Sequence, residues 1–281
     1  MFKRNNKRHI IQALITLFTN AYILGFLKGN IYNGNLKTIC FPGLNCYSCP
    51  GAIGSCPIGA MQAVIGGRKH SFSYYVSGII IFFGVFFGRF ICGFLCPFGF
   101  IQDIIHKIPS PRLNINKKLD NILRKFKYIV ALLFVILLPA FLTNKFGIAP
   151  PYFCQWICPV GTLQGGIPLV SMNESLRNGI GFLFGWKMSI LVALIFLSII
   201  IYRPFCKYIC PLGAFYALFN KYSFYTMSID NNRCTKCKLC ENICRMNVEV
   251  LENINSAECI RCGDCKSICP HNAINSQFRF K

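Results

Sequence analysis

The residues with the clearest chemical potential are the cysteines, 18 of them in a chain of 281 residues. Eight form two consecutive runs near the C-terminus, each with the spacing C-x2-C-x2-C-x3-C. This spacing binds [4Fe–4S] clusters in bacterial two-cluster ferredoxins, where the last Cys of each run binds the other cluster. The spacing therefore predicts one cluster held by Cys234, Cys237, Cys240 and Cys269, and a second held by Cys259, Cys262, Cys265 and Cys244.

Two other uses of cysteine explain these runs less well. A structural zinc site usually joins two separate C-x2-C pairs, and four Cys in one short run do not easily surround a single tetrahedral ion. Disulfides require an oxidising compartment, whereas this segment is expected in the cytoplasm. Arg245 stands where the first run would usually continue with Pro, which changes the surroundings of a cluster without removing a ligand.

Most of the remaining cysteines belong to an internal repeat. The motif C-x3-C-P occurs three times, at Cys92/Cys96, Cys154/Cys158 and Cys206/Cys210, and a partial copy begins at Cys56. Residues i and i+4 share one face of a helix, so each copy can present two thiolates to a cluster. The Pro ends that helix, and a Gly two residues later permits a tight turn. The alternative is ordinary buried cysteine, and three copies with the same Pro and Gly argue against it.

The elements that carry this repeat are predicted to be membrane helices. Hydrophobic residues make up 54% of the chain and charged residues 14%, against about 25% charged residues in soluble domains. Apolar stretches close to the roughly 20 residues that span a bilayer lie at about 10–27, 72–91, 128–142 and 187–202. The 30 Lys and Arg outnumber the 9 Asp and Glu. Their grouping between the spans predicts that both termini of a multi-pass protein lie in the cytoplasm.

The acidic residues mark a domain boundary, because six of the nine lie after residue 229. The predicted fold is mainly α, with a four-helix transmembrane domain at 1–229 that carries the C-x3-C-P repeats. A small α+β two-cluster ferredoxin-like domain is predicted at 230–281.

The predicted topology pairs the copies of the repeat. Two copies follow spans that end on the cytoplasmic side, which predicts a third cluster bound by Cys92, Cys96, Cys206 and Cys210. On the opposite side, the preferred ligands of a fourth cluster are Cys49, Cys56, Cys154 and Cys158. Spacing does not decide whether Cys40 and Cys46 bind metal, form a disulfide or remain free.

In these motifs the chain resembles the NapH/NosR-like family of membrane-bound 4Fe–4S proteins. The resemblance rests on the C-x3-C-P copies preceded by Arg89 and Arg203, on the paired ferredoxin runs, and on the stretches at 44–50 and 56–59. It implies that electrons pass between the membrane quinone pool and a partner reductase. It does not identify the terminal partner.

The predicted function is therefore electron transfer by a membrane-bound iron–sulfur protein. Electrons would pass between the quinone pool, or a membrane redox partner, and a partner reductase or soluble ferredoxin. The chain is expected to be an electron-transfer subunit rather than an independent enzyme. The alternative is a redox-sensing or cofactor-assembly membrane protein without net electron flux. Nucleic-acid binding is excluded because the basic residues flank apolar spans, and the sequence contains neither a C-x2-C-H haem motif nor a G-x-G-x-x-G fingerprint.

Two smaller features could assist that function. His106 follows the first C-x3-C-P copy and could take a proton from a quinone, or it could simply be solvated beside Lys107. Basic residues lie beside the ligands of the C-terminal runs, where they could form a docking surface or offset the negative charge of the clusters. These are Lys236, Lys238, Arg261 and Lys266.

Overall fold

The computed structural model describes residues 6–67, 74–111, 115–144 and 148–279. Within these ranges the chain is mainly helical. The α-helices are Asn6–Thr19, Ile23–Lys28, Pro57–Ile65, Tyr74–Phe87, Phe90–Phe94, Pro97–Ile105, Lys117–Val130, Leu138–Phe141, Tyr152–Trp156, Pro159–Gly161, Ile167–Met172, Glu174–Asn178, Phe182–Ile200, Pro204–Tyr208, Pro211–Phe219, Leu239–Asn242, Val250–Asn253 and Asp264–Ile268. A 3-10 helix covers Asn35–Thr38, and π-helical segments cover Ala131–Leu137 and Thr162–Gly166.

Each of the three C-x3-C-P copies forms a break between two helices. In the copy at Phe90–Phe94, the first Cys lies on a short helix, and the second Cys is the N-cap of helix Pro97–Ile105. Pro is favoured as the first residue of a helix because its missing N–H would have had no helical partner there. The i, i+4 spacing predicts that the two thiols lie on one continuous helix. In the structure they lie on either side of a turn instead.

The predicted four-helix transmembrane domain is wrong. Among the residues that the structure describes, one helix is long and apolar enough to cross a bilayer by its length and composition alone. This helix is Phe182–Ile200. This helix corresponds to the predicted span 187–202. The prediction that both termini face the cytoplasm depends on four crossings and loses that support.

The other three predicted spans are too short or interrupted. The stretch 10–27 divides into two helices that break after Thr19. The stretch 72–91 contains helix Tyr74–Phe87, whose 14 residues cover about 21 Å of a bilayer core about 30 Å thick; positions 72 and 73 lie outside the described residues. The stretch 128–142 crosses the junction of helix Lys117–Val130 with the π-helical segment and a four-residue helix.

The C-terminal segment, residues 225–279, contains the two strands found among the described residues. Strand β1, Tyr225–Ile229, pairs antiparallel with strand β2, Ile274–Phe278. The predicted boundary after residue 229 therefore falls at the end of β1, whose partner strand closes the segment. The division into domains at this position stays a prediction.

The C-terminal segment also packs closely on the helices before it. Arg261 is buried and donates hydrogen bonds to the carbonyl oxygens of Phe87 at 2.9 Å and Asn220 at 2.6 Å. The side-chain amide of Asn220 in turn donates to the carbonyl oxygen of Cys259 at 3.0 Å. These bonds hold one of the cysteine runs against the repeat-bearing helices.

Candidate metal centres

The two C-terminal runs of cysteine form two separate cavities. One is lined by the four residues predicted for the first cluster, Cys234, Cys237, Cys240 and Cys269. It lies near the surface, since Cys237 is exposed. The backbone N–H of Ala273 donates to Cys269 Sγ at 3.4 Å.

The other cavity is lined by the four residues predicted for the second cluster, Cys244, Cys259, Cys262 and Cys265. Tyr202, which follows helix Phe182–Ile200, also lines it, so this cavity lies where the C-terminal segment meets the rest of the chain. Arg245, the residue that replaces the usual Pro, places its guanidinium 5.6 Å from the centre of the Tyr202 ring. Arg245 thus places a cation between the C-terminal segment and the rest of the chain.

A third group of thiols is fully enclosed by the repeat-bearing helices. Its members are the four residues predicted to share the third cluster, Cys92, Cys96, Cys206 and Cys210, and all are buried. Their thiols act electrostatically on one another. The structure therefore brings together two copies of the repeat that are far apart in sequence.

The two halves of this third group have matching hydrogen bonds. In each copy the Gly of Cys-Pro-x-Gly donates its N–H to the second Cys: Gly99 to Cys96 Sγ at 3.4 Å, and Gly213 to Cys210 Sγ at 3.3 Å. Gln102 adds a side-chain donor to one of the two first cysteines, since its Nε2 lies 3.1 Å from Cys206 Sγ.

The two arginines of the repeat cross between the copies. Arg203 donates to the carbonyl oxygen of Cys92 at 2.6 Å, and Arg89 donates to that of Cys206 at 3.0 Å. Both arginines are completely buried. Such charges require buried partners, because an unpaired ion inside a protein is strongly disfavoured.

Asp103 is the partner of Arg203, and the sequence analysis did not identify it. Its carboxylate accepts two bonds from Arg203, at 2.8 and 2.6 Å, and a third from Arg8 at 3.2 Å. Burial alone would raise the pKa of Asp103, but Arg203 and Arg8 outweigh it and hold that pKa below its usual value. The sequence contains one signal for this role, because Asp103 is one of only three acidic residues before residue 230.

Glu258 is the partner of Arg89 and was also missed. It lies next to Cys259 and accepts from Arg89 at 2.7 Å and from Lys127. Burial opposes ionisation, but these two cations lower the pKa of Glu258 to about 2. Burial and the competing Arg89 lower the pKa of Lys127 to about 8. Glu258 thereby joins the second group of thiols to the third through one ion-pair cluster.

The fourth group contains the thiols of Cys56, Cys154 and Cys158, all predicted ligands. Gln62 donates from Nε2 to Cys154 Sγ at 3.3 Å. Cys46 acts electrostatically on each of the three thiols. The predicted fourth ligand, Cys49, instead has its Sγ 3.5 Å from Asn20 Oδ1.

The donor sets suit iron–sulfur clusters better than single metal ions. Among the described residues, no group of three or more His, Cys, Asp or Glu is arranged to hold one ion. The four thiolates of a cubane each bind a different iron, so they stand farther apart than the ligands of one ion. Burial raises the pKa of Cys96 and Cys158 to about 12, so these thiols need a bound cation to lose their protons near neutral pH.

The two smaller sequence predictions have different outcomes. His106 is buried rather than solvated, with Nδ1 3.0 Å from the carbonyl oxygen of Ser198. Of the four basic residues beside the C-terminal ligands, Arg261 is buried in the contact described above. Lys236, Lys238 and Lys266 are exposed.

Comparison with known protein families finds iron–sulfur domains in both parts of the chain. One model described as a 4Fe–4S binding domain matches residues 70–116, 128–174 and 183–225. A second model with the same description matches residues 252–275. The three C-x3-C-P copies and the second C-terminal run thus both lie within 4Fe–4S binding domains.

Three curated proteins are similar to parts of the chain. The uncharacterized protein MJ0750 of Methanocaldococcus jannaschii is 34% identical over 193 residues, which cover 66% of this chain and 70% of that protein. The uncharacterized protein MJ0749 of the same organism is 29% identical, over 40% of this chain and 58% of that protein. The methylamine utilization ferredoxin-type protein MauN of Paracoccus denitrificans is 35% identical, over 27% of this chain and 26% of that protein. No solved structure matches the chain.

Proposed function

The chain belongs to an iron–sulfur, ferredoxin-like family and is related to the uncharacterized protein MJ0750, and we propose that it carries electrons through four [4Fe–4S] clusters. The first two clusters are held by the C-terminal cysteines in the sets that line the two cavities. The third is held by Cys92, Cys96, Cys206 and Cys210. The fourth uses Cys56, Cys154 and Cys158, with one further thiolate from the segment 46–49.

The observation that carries this proposal is the direct packing of the ligand-bearing loops. A Cβ added to Gly93, next to Cys92, would lie 2.4 Å from the carbonyl oxygen of Ile260, next to Cys259. A Cβ added to Gly43 would lie 2.7 Å from the carbonyl oxygen of Leu95. The third site is therefore in backbone contact with a loop of the second site on one side. On the other side it contacts the segment that leads to the fourth.

Bound clusters would supply one-electron chemistry, and the chain would set their potentials and exclude water. Hydrogen bonds to sulfur, charge and burial are the means by which a protein sets such potentials. The buried third site has all three, from Gln102, the two arginines and the surrounding apolar side chains. The exposed first site is suited to exchange electrons with a soluble ferredoxin-type donor or a partner reductase.

Attachment to a membrane is the second part of the proposal. Helix Phe182–Ile200 has 19 residues, and only 17% of its 18 most apolar consecutive residues are buried inside the protein. Its uncovered apolar surface supports insertion into a bilayer. The resemblance of the Arg-preceded C-x3-C-P copies to NapH/NosR-like proteins supports exchange with a membrane redox partner, such as the quinone pool.

Anaerobic purification followed by iron and sulfide analysis and EPR under redox titration tests this function. Four clusters require about 16 iron atoms per chain and four separable centres. Repeated reduction and reoxidation should leave the iron content unchanged. Iron for the two C-terminal clusters alone, or loss of iron on each cycle, would contradict the proposal, and the second result would favour a sensor that responds by losing its cluster.

A further inference from the structure

We propose that Cys46, and not Cys49, provides the fourth thiolate of the cluster bound by Cys56, Cys154 and Cys158. The inference rests on the proposed function, because it concerns the ligands of one of its four clusters. It also leaves Cys49 outside the ligand shell, as a free thiol. The argument comes from hydrogen bonds made by the three copies that carry a Gln, and from the glycines of two Cys-Pro-x-Gly turns.

In two copies, a Gln six positions after the Cys that precedes Pro donates a hydrogen bond to the first Cys of the paired copy. Gln102, six after Cys96, donates to Cys206 Sγ at 3.1 Å. Gln62, six after Cys56, donates to Cys154 Sγ at 3.3 Å.

The copy at Cys206/Cys210 departs from this pattern. Tyr216 stands six positions after Cys210, and its hydroxyl group donates to the carbonyl oxygen of Pro42 at 2.9 Å. The side-chain contact to sulfur is therefore made by the two glutamines, Gln62 and Gln102.

The copy at Cys154/Cys158 makes its contact with Cys46. Gln164 stands six positions after Cys158, and its Oε1 accepts a hydrogen bond from the backbone N–H of Cys46 at 2.9 Å. The equivalent bond of Gln62 runs from its Oε1 to the backbone N–H of Phe153, also at 2.9 Å, next to Cys154. Gln164 thus binds the backbone at Cys46 as Gln62 binds the backbone beside Cys154.

The glycines of the motif support the same placement from the two sides of the site. A Cβ added to Gly59, which follows Cys56, would lie 3.8 Å from Cys154 Sγ. A Cβ added to Gly161, which follows Cys158, would lie 3.8 Å from Cys46 Sγ. The thiols of Cys154 and Cys46 therefore have equivalent positions relative to the two Cys-Pro-x-Gly turns.

Cys49 has contacts that suit a protonated thiol. Its Sγ donates toward Asn20 Oδ1 at 3.5 Å, and the same oxygen accepts from Asn45 Nδ2 at 3.2 Å. A thiolate that binds iron has no proton to donate, so an acceptor oxygen beside it would be unfavourable. Cys46 instead lies near a cation, because a Cβ added to Gly161 would be 3.5 Å from Lys187 Nζ and 3.8 Å from Cys46 Sγ.

The test compares Cys46→Ala with Cys49→Ala in the full chain, purified without oxygen. The two positions share one short loop, so each variant is the matched control for the other, and Cys154→Ala serves as the reference for loss of this cluster. We expect Cys46→Ala to lose about four iron atoms and the same EPR signal as Cys154→Ala. We expect Cys49→Ala to keep both.

Two results would overturn the assignment of Cys46. One is loss of the signal in Cys49→Ala with retention in Cys46→Ala, and the other is loss in both. The signals of the other three clusters show that each variant has folded. If Cys154→Ala keeps all its iron and every signal, the proposed fourth cluster itself is absent, which is a failure of the proposed function rather than of the ligand assignment.

Discussion

The C-terminal segment and the repeat-bearing helices contain the same ligand in opposite settings. In the C-terminal segment the cysteines of each run are close in sequence, and Cys237 is exposed to solvent. In the repeats, Cys92 and Cys206 come from distant parts of the chain and are buried beside two arginines. A local motif can hold its site by spacing alone. The distant one needs buried charges that fix one half of the site against the other.

The largest effect is expected from removing a buried acid, which tests whether buried charges hold the two copies of the repeat together. Asp103→Asn would leave Arg203 and Arg8 buried without a counter-charge, and breaking a buried ion pair costs about 3–5 kcal/mol. We expect a lower midpoint of chemical unfolding and loss of the third cluster. Both are measured on the anaerobic protein, by denaturant titration and by EPR.

The control for Asp103→Asn is Glu249→Gln. Glu249 forms an ion pair with Lys117 in which both side chains are largely exposed, and such pairs contribute about 0–1 kcal/mol. A similar loss of stability in the two variants would show that the buried charges have no special part in holding the repeats together.

A smaller effect is expected where the two regions touch. In Gly93→Ala the new methyl group would meet the carbonyl oxygen of Ile260 at 2.4 Å, so backbone must move. Overpacking of this kind costs about 1–3 kcal/mol. Electron transfer between the second and third clusters should become slower, as measured by rapid reduction from the C-terminal side followed by freeze-quench EPR.

Gly78→Ala is the matched control for that variant, because it also lies in a helix and a Cβ there would meet nothing within 4 Å. Its transfer rate should equal that of the unchanged chain. An unchanged rate in Gly93→Ala would mean that electrons do not cross the contact between Gly93 and Ile260.

The smallest effect concerns the side-chain donors to sulfur. Gln102→Leu removes the hydrogen bond to Cys206 Sγ and should lower the reduction potential of the third cluster by on the order of tens of mV, because such bonds stabilise the reduced state. Gln62→Leu removes the bond to Cys154 Sγ and should shift only the fourth cluster. Redox titration that shows the same cluster shifted by both variants would refute the separate placement of Gln102 and Gln62.

The two regions also differ in how much of them the sequence predicts. Each C-terminal cavity is lined by one predicted set of four cysteines, because three of the four come from one run of fixed spacing and the fourth ends the other run. The repeats were recognisable, but Asp103 and Glu258 were not, since their partners Arg203 and Arg89 are distant in sequence.

The error in the fold prediction has a related origin. Apolar composition over about 20 residues does not reveal where a helix ends, and the stretch 10–27 breaks after Thr19. Polar residues on the first helix make long-range bonds: Gln12 donates to the carbonyl oxygen of Gly93 at 2.9 Å. Such contacts attach one face of this helix to the rest of the chain, and one candidate span remains among the described residues.

The central claim is that two distant copies of the repeat share one cluster. It is tested most directly by EPR and iron analysis of Cys92→Ser, Cys206→Ser and the double variant. If the four buried thiolates form one shell, each single substitution removes the same signal, and the double substitution removes nothing further. The two C-terminal clusters should remain reducible by a soluble donor in all three. Loss of two different signals from the two single variants would show that each copy serves its own centre and would contradict the account.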